Sequence, residues 1–425
     1  MTSEWANPIV ETQKEGEKTG VLFKFLLCFL LLLLNVETIS YLLLRDDAVI
    51  AFYQKALSSM VVVGSCFLFL TWTKKDRLCF GFFMLLLAKL VIESLVGFSS
   101  PLIYPSVLAV IFPFLYVYFI KNLFRHLNVD VLNVLMATII IGYVLFMLFF
   151  GGDFDFSNAP VPEQEGGPFS GDTRILHANS IFLLVLPFLY CLNKMFSSRR
   201  TYLSIAGLCF SLIVILVHQH RTVWVAAILS SSILMYLNGG NKKTLRKLLL
   251  LVLVIAGVFT ILLFTIPGLS QLLAERFVDV LDPLNEDNTG GFRYLQILAY
   301  LNYFIQKPLF GWTFAGFELP NPFLADNWEE GSGHHFHDAY IEVLFYFGIT
   351  GLLLKFFPLY TIARRIKRRL SDQSKVLAAF CISGFLYSFS YSLPLIFWGI
   401  VGLCLYYIER DFRINSYNQV SIGNG

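Results

Sequence analysis

Charged side chains are scarce in this chain: they make up 14% of 425 residues, against about 25% in a soluble domain. Most of the surface therefore cannot face water. A mean hydropathy of +0.67 overrides the two or three soluble domains that length alone would suggest. No Lys/Arg-rich stripe with interleaved aromatics is present, and the net charge of +3 is small, so nucleic acid is set aside as a partner. Cysteine lacks any metal or disulfide pattern. Cys28, Cys66, Cys79, Cys191, Cys209, Cys381 and Cys404 all lie in or beside apolar runs, without CxxC spacing, and read as packing residues. The first twenty residues mix Glu with Lys and lack the basic start and apolar core of a cleavable signal.

What the chain has instead is a series of apolar runs, each near the roughly 20 residues that a bilayer core requires. Spans are expected near 21–43, 54–73, 78–97, 104–120, 131–151, 178–195, 202–218, 222–238, 248–267, 340–360, 376–391 and 393–409. The last two are separated only around Ser392-Leu393-Pro394, which fits a tight hairpin or a re-entrant pair. The fold class is thus all-α: a polytopic membrane protein of about twelve helices. Alternate connections are basic, including Lys74-Lys75-Asp76-Arg77, Lys242-Lys243 and Arg364-Arg365-Ile366-Lys367-Arg368-Arg369. By the positive-inside rule these face the cytoplasm, as do the tails 1–20 and 410–425. Spans one to nine then fill 21–267, a large outer loop occupies 268–339, and the last three spans fill 340–409.

The outer side carries the unusual residues. His177, His218, His220, His334, His335 and His337 fall there, and so do Arg174, Arg221 and Arg293. Arginine placed against the positive-inside bias calls for something to hold it, and an anionic ligand is the natural candidate. Phe292 to Gln306 has Leu295, Leu298, Leu301 and Ile305 at helical spacing, which predicts an amphipathic helix on the outer surface or capping the bundle. Arg293 falls in its predicted first turn, where a phosphate would be welcome; pairing with Asp287 is the plainer reading. Arg221, in a short turn, is a phosphate clamp or a cation snorkelling to head groups. His334-His335-Phe336-His337-Asp338 offers a general base, a metal site with His218 or His220, or a structural cluster. Asp153-Phe154-Asp155 is a weak cation-binding triplet. Lys89 and Glu93, four apart, either pair with each other or line a transport path with Lys24 and Glu37.

The ordered set of outer motifs resembles the O-antigen ligase and polymerase superfamily of membrane glycosyltransferases. Thr173-Arg174-Ile175-Leu176-His177-Ala178-Asn179 is similar to the family's outer-loop arginine and helix-opening Asn. His220-Arg221-Thr222-Val223-Trp224 is similar to its Ser-Arg-x-x-Trp turn. Arg293 to Gln306, then Lys307-Pro308-Leu309-Phe310-Gly311-Trp312, resembles its loop helix followed by Pro-Leu-x-Gly. His337-Asp338-Ala339-Tyr340-Ile341-Glu342, continuing to Phe347-Gly348-Ile349-Thr350-Gly351, resembles its His-Asn-x-Tyr-Leu motif and G-x-x-G helix. Asp338 stands where the family has Asn, and His220 where it has Ser.

The resemblance implies a metal-independent, inverting glycosyl transfer without a cofactor, at the periplasmic face of a bacterial inner membrane. The donor would be a glycan on polyprenyl (undecaprenyl) pyrophosphate, in lipopolysaccharide O-antigen or exopolysaccharide biosynthesis, and the acceptor a glycan or a lipid-linked molecule. His337, Arg221 and Arg293 would be catalytic. Arg174, Asn179, His220, Trp224, Asp338 and Tyr340 would bind substrate, with no metal ligands. Ligase and polymerase share these motifs. The rival is a transporter or flippase of lipid-linked sugars, which predicts repeated halves and mid-membrane charges; no such repeat is visible.

Overall fold

The computed structural model describes residues 20–44, 47–69, 72–96, 105–150, 176–196, 201–218, 220–239, 289–320, 338–366 and 369–423, with isolated positions 257, 260, 261, 264, 265 and 336. Every extended element among them is helical. In chain order they are α1 (Val21–Leu31), α2 (Glu37–Leu44), α3 (Asp47–Leu68), α4 (Lys74–Val96), α5 (Pro105–Leu127), α6 (Leu132–Phe150), α7 (Ala178–Leu183) and α8 (Val185–Phe196). They continue with α9 (Tyr202–Val217), α10 (Arg221–Leu237), α11 (Thr289–Gln306), α12 (Ala339–Arg365), α13 (Asp372–Tyr387) and α14 (Leu395–Gly423).

Helices lie on the apolar segments read from the sequence wherever these are described; the segment 248–267 falls mostly outside the described residues. Leu132–Phe150, Ala178–Phe196 and Ala339–Arg365 are long and apolar enough to cross a membrane by length and composition. Large apolar side chains such as Phe52, Phe67, Leu85 and Leu95 stand exposed along α3 and α4, as lipid-facing helices require. This is a helical membrane protein. Tyr387 ends α13 and Leu395 starts α14, so the final pair is a helical hairpin. Beyond it, α14 runs on through the segment read as a tail.

Two departures from simple spans position the site. The first span is broken. A single 3-10 turn, Leu33–Asn35, separates α1 from α2, and the side chain of Asn35 donates back to the Leu31 carbonyl at 3.0 Å. The Tyr116 hydroxyl donates to that same carbonyl. Freed backbone groups inside an apolar bundle need such replacements, and the break starts α2 at Glu37, within the interior.

The second is in α12, which is interrupted at Gly348 (φ 61°, ψ −159°). The segment Pro308–Trp312 docks into this break: Ile349 N–H donates to the Pro308 carbonyl (2.9 Å), Thr350 N–H to Leu309 (3.1 Å) and Trp312 N–H to Phe345 (2.8 Å). A Cβ on Gly348 would sit 2.6 Å from the Leu309 carbonyl, and one on Gly311 (φ 67°) 2.4 Å from the Tyr346 carbonyl carbon. Each glycine therefore meets the other strand's backbone, in a conformation that L side chains rarely adopt. The two motif glycines form one latch that fixes α11 against α12.

Candidate functional site

The sequence-derived residues that are described gather around the turn that ends α13, Phe385 to Ser392. The Tyr387 hydroxyl donates to Asn179 Oδ1 (2.8 Å). Thr222 Oγ1 donates to Ser390 Oγ (3.1 Å), which ties the Arg221 turn to the same place. Ala339 N–H donates to the Ser388 carbonyl (3.0 Å) and the Tyr340 hydroxyl to the Phe385 carbonyl (2.7 Å). Three motif segments that are distant in sequence are thus bonded to one short turn.

Asp338 caps α12, accepting from Tyr340 N–H (2.7 Å) and Ile341 N–H (3.2 Å), as an N-cap carboxylate should. Its burial raises the carboxyl above its ordinary value, while those two N–H groups and the Arg293 guanidinium pull it back. Arg293 is half-buried. Its guanidinium lies 5.2 Å from the centroid of the Tyr391 ring, and its Nε is buried with no hydrogen-bond partner among the described residues. A cation held on an aromatic face with an unused N–H is poised for an anion.

The helix carrying Arg293 begins at Thr289, so Arg293 falls in the second turn and not the first. The helix dipole does less for an anion there than the sequence reading assumed; the ring of Tyr391 supplies the seat. The leucine stripe on α11 faces away from the protein. Gln296 and Tyr300 are buried, whereas Leu298, Leu301 and Ile305 are exposed. The apolar face looks outward, as for a helix whose leucines meet lipid, and the polar and aromatic face meets the protein.

His220, the N-cap position of α10, is buried. Its Nε2 lies 2.9 Å from the Leu176 carbonyl, so that nitrogen carries a proton and donates. Trp224 donates from its indole to the Ile215 carbonyl (2.9 Å). Both brace the turn around Arg221, whose own backbone opens α10. His177 is exposed and Asn179 half-buried. Arg174, His334, His335, His337, Asp153 and Asp155 lie outside the described residues. Lys89 and Glu93 are paired at 2.5 Å, and both bond the Thr313 hydroxyl, which anchors the loop after α11.

Sequence reasoning passed over several residues. Tyr387, Ser390, Tyr391 and Ser392 sit in Tyr-Ser-Phe-Ser-Tyr-Ser, a polar and aromatic alternation that the sequence reading assigns to the end of the span 376–391 and the boundary after it. Ser392 donates to Glu342 Oε2 (2.6 Å), and Glu342 lies 4.0 Å from the buried ammonium of Lys355. Glu37 accepts from Ser180 Oγ (2.7 Å).

These features define a helical membrane protein with a partly buried cluster of charged and aromatic side chains around the α13 turn, a candidate site. Residues 206–356 match the family model described as O-antigen ligase. The matched residues are less than half of the chain and include three of the four motif segments, so it is this segment that is similar to the O-antigen ligase family. Arg174 to Asn179, Glu37 and the α13 turn fall outside the matched residues. No curated protein matches the chain.

Proposed function

We propose that this chain is an inverting, metal-independent glycosyltransferase that moves a glycan from polyprenyl pyrophosphate to an acceptor hydroxyl. It would work at the periplasmic face of a bacterial inner membrane, in a bundle of about twelve spans. The carrying observation is Arg293, its Nε unbonded among the described residues and its guanidinium laid on Tyr391, in the cluster that also joins Asn179, Asp338 and the Arg221 turn. In the reaction the acceptor oxygen forms the new bond to the anomeric carbon as the bond to the pyrophosphate oxygen breaks. The electron pair leaves with the pyrophosphate, and Arg293, Arg221 and Arg174 stabilise that growing charge. His337 takes the hydroxyl proton.

The experiment is the surface-glycan profile of cells lacking the protein, complemented with wild type, His337→Ala or Arg293→Ala. Short single-repeat glycans would identify a polymerase, and full-length chains left on the lipid carrier a ligase. Unchanged glycans in every strain would refute the transfer reading and reopen transport of lipid-linked sugars. That rival needs Lys89 and Glu93 as a polar path; replacing both with apolar residues while glycan output stays normal would remove it.

A further inference from the structure

We propose that Glu37 is a sugar-binding carboxylate of the same site, accepting a hydroxyl of the glycan residue nearest the pyrophosphate. The inference rests on the transfer reading above and adds a subsite to it.

The break at Leu33–Asn35 makes Glu37 the first residue of α2. It is half-buried, while Thr38, Ile39 and Ser40 behind it are buried. Several acids elsewhere in the bundle have cations beside them: Asp76 with Lys121, Glu93 with Lys89, Glu342 with Lys355 and Glu409 with Arg365; buried Asp411 instead accepts from the Ser371 N–H. Glu37 has no such cation among the described residues. The one hydrogen bond of its carboxylate there is from Ser180 Oγ to Oε2, so Oε1 has no donor among the described residues. A carboxylate drawn into an apolar bundle with a single donor is costly, and in such a setting it is a functional-site candidate.

Its surroundings say what the missing donor is. Ser180 follows Asn179, which holds the Tyr387 hydroxyl. Tyr387 is within electrostatic reach of both Glu37 and Arg293. A group on Glu37 is therefore close to the seat of the pyrophosphate. A cationic ligand there would be repelled by Arg293, whereas a neutral hydroxyl satisfies the carboxylate and leaves the arginine its charge for the phosphate. Glu37 lies outside residues 206–356, so it bears on which sugar is taken and not on the class of reaction.

The test uses the full chain in lipid nanodiscs and two probes. One is bare polyprenyl pyrophosphate; the other is the same lipid carrying the glycan that accumulates in cells lacking the protein. Glu37→Ala and Glu37→Gln should bind the bare lipid like wild type. Glu37→Ala should bind the glycan-bearing lipid about 10- to 100-fold more weakly, the size of one charge-assisted hydrogen bond. Glu37→Gln keeps an acceptor for Ser180, so its melting temperature should match wild type while part of the glycan affinity is lost; it decides alone if the alanine variant does not fold. Wild-type affinity for both probes, or equal loss on both, overturns the proposal. Arg293→Ala separates the two ideas: it should weaken both probes alike, and wild-type binding by that variant would refute the anion seat whatever Glu37 does.

Discussion

The two ends of the bundle treat most of their charge in different ways, although Arg125 Nη1 near Lys121 is, like Arg293 Nε, buried with no hydrogen-bond partner among the described residues. At the end where α12 finishes and α13 starts, Lys121 is buried and lies 2.8 Å from both Asp76 and Glu409, and Arg365 joins Glu409 at 3.2 Å. Arg410 stacks 4.5 Å over Tyr407 and donates to Gln373, and Tyr407 donates to Asp130. At the other end, where α13 finishes and α12 starts, Arg293 has an unbonded Nε and Glu37 a single hydroxyl donor among the described residues. A network closed on itself is a fastening. A cation and a carboxylate left incomplete around one turn are arranged for a ligand.

Breaking the closed end should have the largest effect on the protein itself. Lys121→Met leaves Asp76 buried without its ammonium, a loss of about 3–5 kcal/mol. Thermal unfolding in detergent and the amount of protein in the membrane should both fall, with activity lost only in proportion to protein. Arg293→Ala tests the open end. Product formation should drop about 10²- to 10³-fold at an unchanged membrane level, because the removed group has no hydrogen bond at Nε to lose. Arg293→Lys should recover little, since an ammonium lacks the planar fork that stacks on Tyr391. Equal losses of protein in the Lys121 and Arg293 variants would erase the distinction between the ends.

The latch sharpens the comparison at intermediate cost. Gly348→Ala must place a Cβ 2.6 Å from the Leu309 carbonyl at φ 61°, a strain of about 1–3 kcal/mol. Hydrogen exchange at Ile349 and Thr350 should accelerate, and activity should fall because α11 loses its register on α12. Exchange unchanged from wild type would mean that the docked segment is not held there.

How much of this was legible beforehand follows from the kind of signal each part sends. Apolar runs announce helices, and basic connections announce an end, because both are compositional and local. The motif arginines stood out because they oppose the charge bias. The breaks in α1–α2 and α12 were invisible, since Leu33 and Leu34 continue the leucine run, a lone Asn35 does not by itself end a span, and Gly348 reads as a small helix-packing residue. The orientation of α11 was not legible because leucine spacing gives a face without saying whether protein or lipid covers it. Tyr387 and Tyr391 were missed because their role comes from Asn179 and Arg293, about 210 and 100 positions away along the chain.

The smallest effect is expected where this chain departs from the family pattern. Asp338 caps α12 beside Arg293, and burial holds its carboxyl above the usual carboxylate range. A raised value in the folded state means that the native protein binds this proton more tightly than the unfolded chain does. Ionised Asp338 therefore costs stability as pH rises from its unfolded value through its folded one. Asn caps a helix about as well as Asp, and Asp338→Asn removes that cost without removing the bonds to Tyr340 and Ile341. The variant should be at least as stable as wild type at pH 7, with the difference closing as the pH falls toward the ordinary carboxylate value. A melting-temperature series across that range reads it directly. A variant less stable at pH 7 would mean that the charge of Asp338 is wanted beside Arg293, and that the open end is more nearly paired than its geometry indicates.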